Sequence, residues 1–229
     1  MDLGTCFFIL DDSPHEVALS RYADLELVAG GAEPDPSRPL QGVFAALFDR
    51  LAATGAPLAH HRSLRVEFAR ALRQRHALRA RRHDLGAAEY LALREITIYF
   101  APWLSTWELL GGFVLSPAER ALVAPAFAPA NRWQVLENER VSVARDARTG
   151  TPNIVALHAA ERGLSLADAD REIAERADAE IAAYRIARRA LCAYAPSHAV
   201  TQYLAALSAA VAGARRHNRP ADPVRYAPS

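Results

Sequence analysis

Glycine is scarce in this sequence, and cysteine is almost absent. Only 11 of the 229 residues are glycine, whereas 51% are apolar, with Ala and Leu the commonest, and this composition favours an all-helical protein. The two cysteines, Cys6 and Cys192, lie far apart in the chain. They exclude a framework of disulfide bridges and suit a reducing compartment, so we expect a cytoplasmic protein.

Long apolar runs and an excess of charge are also missing. No apolar run reaches membrane-spanning length, and no basic region precedes the short apolar run at the N-terminus, so we expect no signal peptide. The net charge of +1 gives no reason to expect nucleic acid or an anionic membrane as a partner. The arginines of residues 58–84 are interleaved with apolar side chains, which favours a solvated helix face over an RNA-binding surface.

Helices are predicted along most of the chain, without an internal repeat or a linker. The length permits one domain with a sizeable core, and we expect residues 1–229 to form a single domain. Apolar periodicity and punctuation by Gly and Pro predict helices over 41–54, 58–84, 87–100, 131–149, 151–162, 166–194 and 198–216, with a loop over 30–39.

The predicted helix 131–149 carries a row of polar side chains. Asn138, Ser142 and Asp146 are spaced four residues apart, so they share one helix face. Their amide, hydroxyl and carboxylate oxygens are ligands that Mg²⁺ accepts. Arg145 lies beside the acid, where it could reach an anion held by such a metal. The alternative interpretation is a solvated polar stripe.

A second acidic motif follows the apolar run Phe7-Phe8-Ile9-Leu10. Asp11, Asp12 and Glu16 could hold divalent cations. The alternative is a helix start in which Ser13 is the N-cap of a capping box and the two aspartates complement the helix dipole.

Arg94 and several aromatic residues form a third candidate group. Arg94 interrupts an apolar surface, and a buried arginine needs a partner, either a structural carboxylate or a bound anion. Trp103 follows in a segment broken by Pro102 and by Gly111, where a ligand could approach the backbone. An ordinary aromatic core contact is the alternative.

In this order, the motifs resemble those of the class I terpene synthases of bacteria, over essentially the whole chain. That family has an Asp-rich motif after an aromatic run, a diphosphate-sensing arginine, an N-x-x-x-S-x-x-x-E metal motif, often an Asn-(Leu/Ile)-Val segment, and a terminal Arg-Tyr pair. The matching residues are Asp11, Asp12 and Glu16, then Arg94, then Asn138, Ser142, Arg145 and Asp146 (Asp in place of Glu), then Asn153-Ile154-Val155, then Arg225 and Tyr226.

The resemblance implies an all-α bundle or barrel that ionises and cyclises a prenyl diphosphate, with farnesyl or geranyl diphosphate as the expected substrate and diphosphate as a product. It implies three Mg²⁺ ions held between the two metal motifs, which are expected to face each other across one cavity mouth. The implied diphosphate ligands are Arg94, Arg145, Arg225 and Tyr226, and the candidates for an aromatic lining of the carbocation pocket are Phe7, Phe8, Tyr99, Trp103 and Trp133.

Relative to that family, the chain is expected to be short at its N-terminus, because the usual helices before the Asp-rich motif are missing. The uncovered run of Phe7-Phe8-Ile9-Leu10 is then expected to mediate self-association, or to be covered by helices from a longer reading frame. The alternative function is a degenerate relative that binds a ligand or a protein without turnover.

Overall fold

A computed structural model of the chain describes residues 15–81, 84–194 and 196–218, with side chains described from residue 21 onward. Its described part contains helices and no strand, and none of these helices is long and apolar enough to cross a membrane. The helices are α1 (His15–Ala29), α2 (Pro39–Ala52), α3 (Leu58–Ala80), α4 (Ala87–Thr97), α5 (Phe100–Leu110), α6 (Pro117–Thr149), α7 (Ile154–Arg162), α8 (Leu166–Ala193) and α9 (His198–His217).

The described residues divide into two compact units. In the first unit, α1, α2 and α5 pack against α3. Its core contains Phe44, Phe48 and Phe68, whose rings meet edge to face with centroids 5.0–5.7 Å apart. Such aromatic contacts stabilise the core beyond their buried area.

The second unit contains most of α4 together with α6, α7, α8 and α9, and its most extensive contact joins α6 to α8. Two arginines of α6 support this contact on its polar margin. Arg132 Nε donates to Glu180 Oε1 at 2.7 Å, and Arg140 Nε donates to Asp170 Oδ1 at 2.9 Å. The polar row of Asn138, Ser142 and Asp146 lies on a different face of α6.

Helix α6 begins well before the predicted start at residue 131. Ser116 is its N-cap and forms a capping box with Glu119, so two backbone N–H groups at the helix start are satisfied. Pro125 and Pro129 lie inside the helix, each removing a backbone donor. Buried Val123, together with other apolar residues of this segment, keeps the helix intact, because tertiary packing outweighs the local propensity of proline.

The predicted helix 87–100 ends early. Tyr99 has a φ of 60°, in the left-handed region, and it separates α4 from α5. Since a non-glycine residue rarely adopts this conformation, apolar periodicity alone gives no signal for the break. Similarly, the predicted helix 151–162 starts late, because Asn153 is its N-cap and the first helical residue is Ile154.

Candidate metal and diphosphate site

Helix α6 places the predicted metal ligands on one face near its C-terminal end. Ser142 Oγ donates to Asp146 Oδ2 at 2.6 Å, as expected for side chains one helical turn apart. Ser142 and Asp146 are buried, at 1% and 4% exposure, whereas Asn138 is half-buried. The row is therefore not a solvated stripe over its last two members.

Asp146 occupies an unusual place for a buried carboxylate. It lies in the last turn of α6, just before Gly150 takes a left-handed conformation and ends the helix. The negative end of the helix dipole disfavours a carboxylate there. Arg145 offsets this cost, since its Nε and a terminal nitrogen lie 3.2 and 3.1 Å from Asp146 Oδ1. An acid kept at a position that the backbone disfavours indicates a role beyond helix stability.

Asn153 holds the acid and the hydroxyl in place. Its Nδ2 donates to Asp146 Oδ2 at 2.9 Å and to the carbonyl oxygen of Glu139 at 2.8 Å, and it lies 3.4 Å from Ser142 Oγ. Its Oδ1 accepts from the backbone N–H of Val155 at 2.9 Å, as an N-cap does. One buried side chain therefore begins α7 and fixes the end of the polar row on α6.

Arg94 is buried and lies against the start of the polar row. Its Nε donates to Glu139 Oε1 at 2.7 Å, and a terminal nitrogen donates to Asn138 Oδ1 at 3.1 Å. Arg94 and Glu139 are 3% and 2% exposed. The partner of Arg94 within the described residues is thus a structural carboxylate, and through Asn138 the guanidinium also touches the candidate metal ligands.

Glu139 is the centre of a buried network. Its Oε2 lies 2.8 Å from the hydroxyl of Tyr90 and accepts from the backbone N–H of Ile154 at 3.1 Å. The Tyr90 hydroxyl also lies 2.7 Å from the carbonyl oxygen of Pro152. Since one carboxylate joins α4, α6 and the first residue of α7, it fixes the relative positions of Arg94 and the polar row.

The oxygen donors fit a hard divalent cation. Ser142 Oγ and Asp146 Oδ2 lie 2.6 Å apart, close to the separation of about 3 Å between neighbouring ligands of an octahedral Mg²⁺. No group of three or more His, Cys, Asp and Glu in the described residues could hold a metal. A site here would use one carboxylate with amide and hydroxyl oxygens, and further ligands would have to complete it.

The other predicted site residues are distributed as follows. Tyr99 belongs to the buried core of the first unit, and Trp103 packs against that core. Trp133 is buried on α6 in the second unit. Several predicted site residues lie outside the described residues: Phe7, Phe8, Asp11, Asp12, Arg225, Tyr226 and the side chain of Glu16. The prediction that the two metal motifs face each other across one cavity mouth involves these residues and stays a prediction.

Glu139 was not singled out by the sequence patterns, and Asn153 was matched to the family without being given a role. Glu139 directly follows Asn138, and its charge on the inner side of a helix was the available signal, because a buried acid requires a partner such as Arg94. Asn153 lies near the start of the predicted helix 151–162, and Asn is a preferred N-cap residue. Its reach to Asp146 depends on the path of the turn between α6 and α7. Gly150 and Pro152 mark this turn in the sequence, but they do not specify its path.

Comparison with known families gives a match over most of the chain. The model described as "Terpene synthase family 2, C-terminal metal binding" matches residues 2–183. No curated protein matches the sequence.

Solved structures share the fold at low sequence identity. The linalool/nerolidol synthase of Streptomyces clavuligerus superposes with a TM-score of 0.79 at 24% identity, covering 93% of this chain and 78% of that chain. The germacradien-4-ol synthase of Streptomyces citricolor gives 0.79 at 19% identity, covering 94% and 75%. The 2-methylisoborneol synthase of Streptomyces coelicolor A3(2), in complex with Mg²⁺ and 2-fluorogeranyl diphosphate, gives 0.82 at 18% identity, covering 99% and 78%. The predicted all-α fold of the class I terpene synthases is confirmed.

Proposed function

Because the chain belongs to the terpene synthase family with the family 2 C-terminal metal-binding region, we propose that it is a Mg²⁺-dependent terpene synthase. Geranyl or farnesyl diphosphate is the proposed substrate, and cyclisation of the resulting carbocation with release of diphosphate is the proposed reaction. The observation that carries the proposal is the buried contact of Ser142 with Asp146, next to Asn138 and its contact with Arg94.

Relatives of the same fold support the substrate class. The linalool/nerolidol synthase was solved with 2-fluorogeranyl diphosphate, and the 2-methylisoborneol synthase with Mg²⁺ and either 2-fluorogeranyl or 2-fluoroneryl diphosphate. These ligands combine a diphosphate with an allylic chain. A donor set of hydroxyl, amide and carboxylate oxygens beside two arginines suits the diphosphate end of such a ligand.

The described residues have distinct proposed roles. Asn138, Ser142 and Asp146 would hold Mg²⁺, together with Asp11, Asp12 and Glu16 of the N-terminal motif, and three ions are proposed. Bound Mg²⁺ neutralises the charge that develops on a departing diphosphate.

Arg145 would bind diphosphate oxygens by charge-assisted hydrogen bonds, because its guanidinium is only partly buried, at 22% side-chain exposure. Arg94 would add positive charge next to Asn138, to which it donates a hydrogen bond, and Glu139 holds the guanidinium of Arg94 in position. Arg225 and Tyr226 are proposed to donate to the same anion.

The hydrocarbon end needs a dry, aromatic surrounding, because water quenches a carbocation and ring faces attract it. We propose Phe7, Phe8, Tyr99, Trp103 and Trp133 for this lining. We also propose that residues 1–229 act as one domain in the cytoplasm, with self-association through the N-terminal apolar run.

The experiment is incubation of the protein with geranyl, farnesyl and geranylgeranyl diphosphate and Mg²⁺, with measurement of terpene products and released diphosphate. The double variant Asn138→Ala/Ser142→Ala should abolish turnover while helix content by circular dichroism stays unchanged. Glu137→Ala is the matched control, because Glu137 adjoins Asn138 but pairs with Arg140 at 2.9 Å.

Wild-type protein that binds a prenyl diphosphate without releasing diphosphate would favour the degenerate relative. Full turnover by the double variant would show that Asn138 and Ser142 are not required as metal ligands.

A further inference from the structure

The second unit has a groove that is separate from the residues of the candidate metal site. It lies between the C-terminal half of α8 and helix α9, with a volume of about 350 Å³. Four arginines line it, Arg185, Arg188 and Arg189 from α8 and Arg215 from α9. Such a concentration of positive charge along one groove requires an explanation.

No carboxylate of the two lining segments balances these charges. After Glu180, α8 contains no acidic residue, and α9 contains none along its whole length. Glu180 itself pairs with Arg132. Arg185, Arg189 and Arg215 are exposed, so water and salt screen their mutual repulsion, but the four charges together attract an anion to the groove.

The helix dipole favours Arg215, which lies in the last turn of α9, but it does not account for the three arginines of α8. Favourable interaction of arginine with a helix C-terminus is restricted to about the last turn. The last turn of α8 contains no basic residue, so Arg185, Arg188 and Arg189 lie ahead of it. None of these three side chains has an ion pair or hydrogen bond within the described part of the chain.

Arg188 gives the strongest indication of a ligand. Its Nε atom is buried and has no hydrogen-bond partner, although a buried donor without a partner costs about 1–3 kcal/mol. Three of the eight other residues that line the groove carry charge of the same sign. An anion in the groove would satisfy this donor and relieve the repulsion at the same time.

The rest of the groove is apolar. Ile181 and Val211 are buried side chains that line it, and Tyr184 lines it with its hydroxyl already 3.0 Å from Ser208 Oγ. These three side chains form the floor of the groove, and exposed Ala212 also lines it. A free inorganic anion would leave the accessible apolar surface in contact with water, whereas an anion attached to an apolar chain would cover it. We propose that the groove binds a phosphate or diphosphate group carried on an apolar chain, with Arg188 and Arg215 as its principal ligands.

This binding does not depend on terpene synthase activity or on Mg²⁺. Arg188 and Arg215 belong to neither proposed metal motif. Binding measured in EDTA therefore separates the groove from the candidate metal site, and a protein without turnover would still bind there.

A second arginine groove provides a matched control. In the first unit, Arg62 and Arg70 line a groove on α3 together with Arg65 and Arg73. There Arg65 already donates to the carbonyl of Val28, and Arg73 pairs with Glu26. Replacing Arg62 and Arg70 by Gln removes the same net charge as replacing Arg188 and Arg215, but from a groove with partly satisfied arginines.

The test is isothermal titration calorimetry in EDTA with geranyl diphosphate and with inorganic diphosphate. We expect geranyl diphosphate to bind more tightly than inorganic diphosphate, and Arg188→Gln/Arg215→Gln to weaken its binding by at least about tenfold per arginine. Arg62→Gln/Arg70→Gln should change the affinity less than about twofold. If the first variant misfolds by circular dichroism, the exposed pair Arg185→Gln/Arg215→Gln replaces it.

A second arm identifies the source of the phosphate group. Cosedimentation with phosphatidylcholine vesicles, with and without phosphatidic acid, tests a lipid headgroup. The wild type could bind vesicles that contain phosphatidic acid but neither soluble diphosphate. If the Arg188→Gln/Arg215→Gln variant then loses vesicle binding, the ligand of the groove is a lipid headgroup. Absence of binding in both arms, or equal weakening by both double variants, would overturn the proposal.

Discussion

The buried pair of Arg94 and Glu139 gives a sharp test of how the second unit is held together. The change is Glu139→Gln, which preserves the size of the side chain and removes its charge. Arg94 would then remain buried, at 3% exposure, without its ion pair to Glu139. Removing one partner of a buried ion pair leaves an uncompensated charge in a medium that solvates it poorly.

The magnitude follows from this desolvation and from the hydrogen bonds of the carboxylate. Breaking a buried pair from one side costs about 3–5 kcal/mol. The amide of Gln also turns a donor either towards Arg94 Nε–H, where Glu139 Oε1 now accepts, or towards the Ile154 N–H and the Tyr90 hydroxyl, where Oε2 now accepts. We therefore expect a loss of about 3–5 kcal/mol in the free energy of unfolding, which is a large part of a typical domain's stability.

Urea denaturation followed by circular dichroism measures this free energy. Glu137→Gln is the control on the neighbouring residue, because its pair with Arg140 is partly exposed, with side-chain exposures of 25% and 28%. The loss expected there is below about 1 kcal/mol. Equal losses in the two variants would show that burial of Glu139 has no special energetic consequence.

A double-mutant cycle with Arg94→Met completes the test. The double variant should be clearly more stable than the sum of the single losses predicts, because it removes the buried guanidinium together with the carboxylate that pairs with it. The expected coupling energy is about 1.5 kcal/mol or more. Strict additivity of the two substitutions would refute the reasoning.

Burial raises the pKa of Glu95, and Arg132 only partly offsets this shift. The ionised form of Glu95 therefore destabilises the folded state, so Glu95→Gln should raise the Tm at pH 7. The Tm difference should vanish below about pH 4, where Glu95 is protonated in both the folded and the unfolded state. A pH-independent difference in calorimetric Tm would contradict that assignment. Asn153→Ala should cost about 1–2 kcal/mol in urea denaturation, because it removes the N-cap of α7 and a donor to Asp146; an unchanged midpoint would show that the turn holds without it. Ser116→Ala should cost about 1 kcal/mol by removing the cap of α6, and a shift in m-value without loss of stability would argue against this local effect.

Most of the helices could be predicted from the sequence, because their signals are local. The predicted helix at 198–216 and the observed α9 (His198–His217) agree closely, since Ser197 as N-cap is a short-range feature. The start of α6 could not be predicted, because Pro125 and Pro129 oppose a helix locally while packing within the second unit sustains it. The left-handed Tyr99 is likewise held by its burial in the core and not by its residue type.

At the candidate site, the sequence by itself determined which side chains share a face. A spacing of four residues on α6 is sufficient to bring Ser142 to Asp146, because helical geometry is independent of the rest of the chain. Tertiary structure decided the partners of this row. Arg94 meets Glu139, and Asn153 reaches Asp146, only because α4 and the start of α7 pack against α6. These contacts join residues far apart in the chain, and side-chain type alone does not specify which distant partner a buried charge or amide will meet.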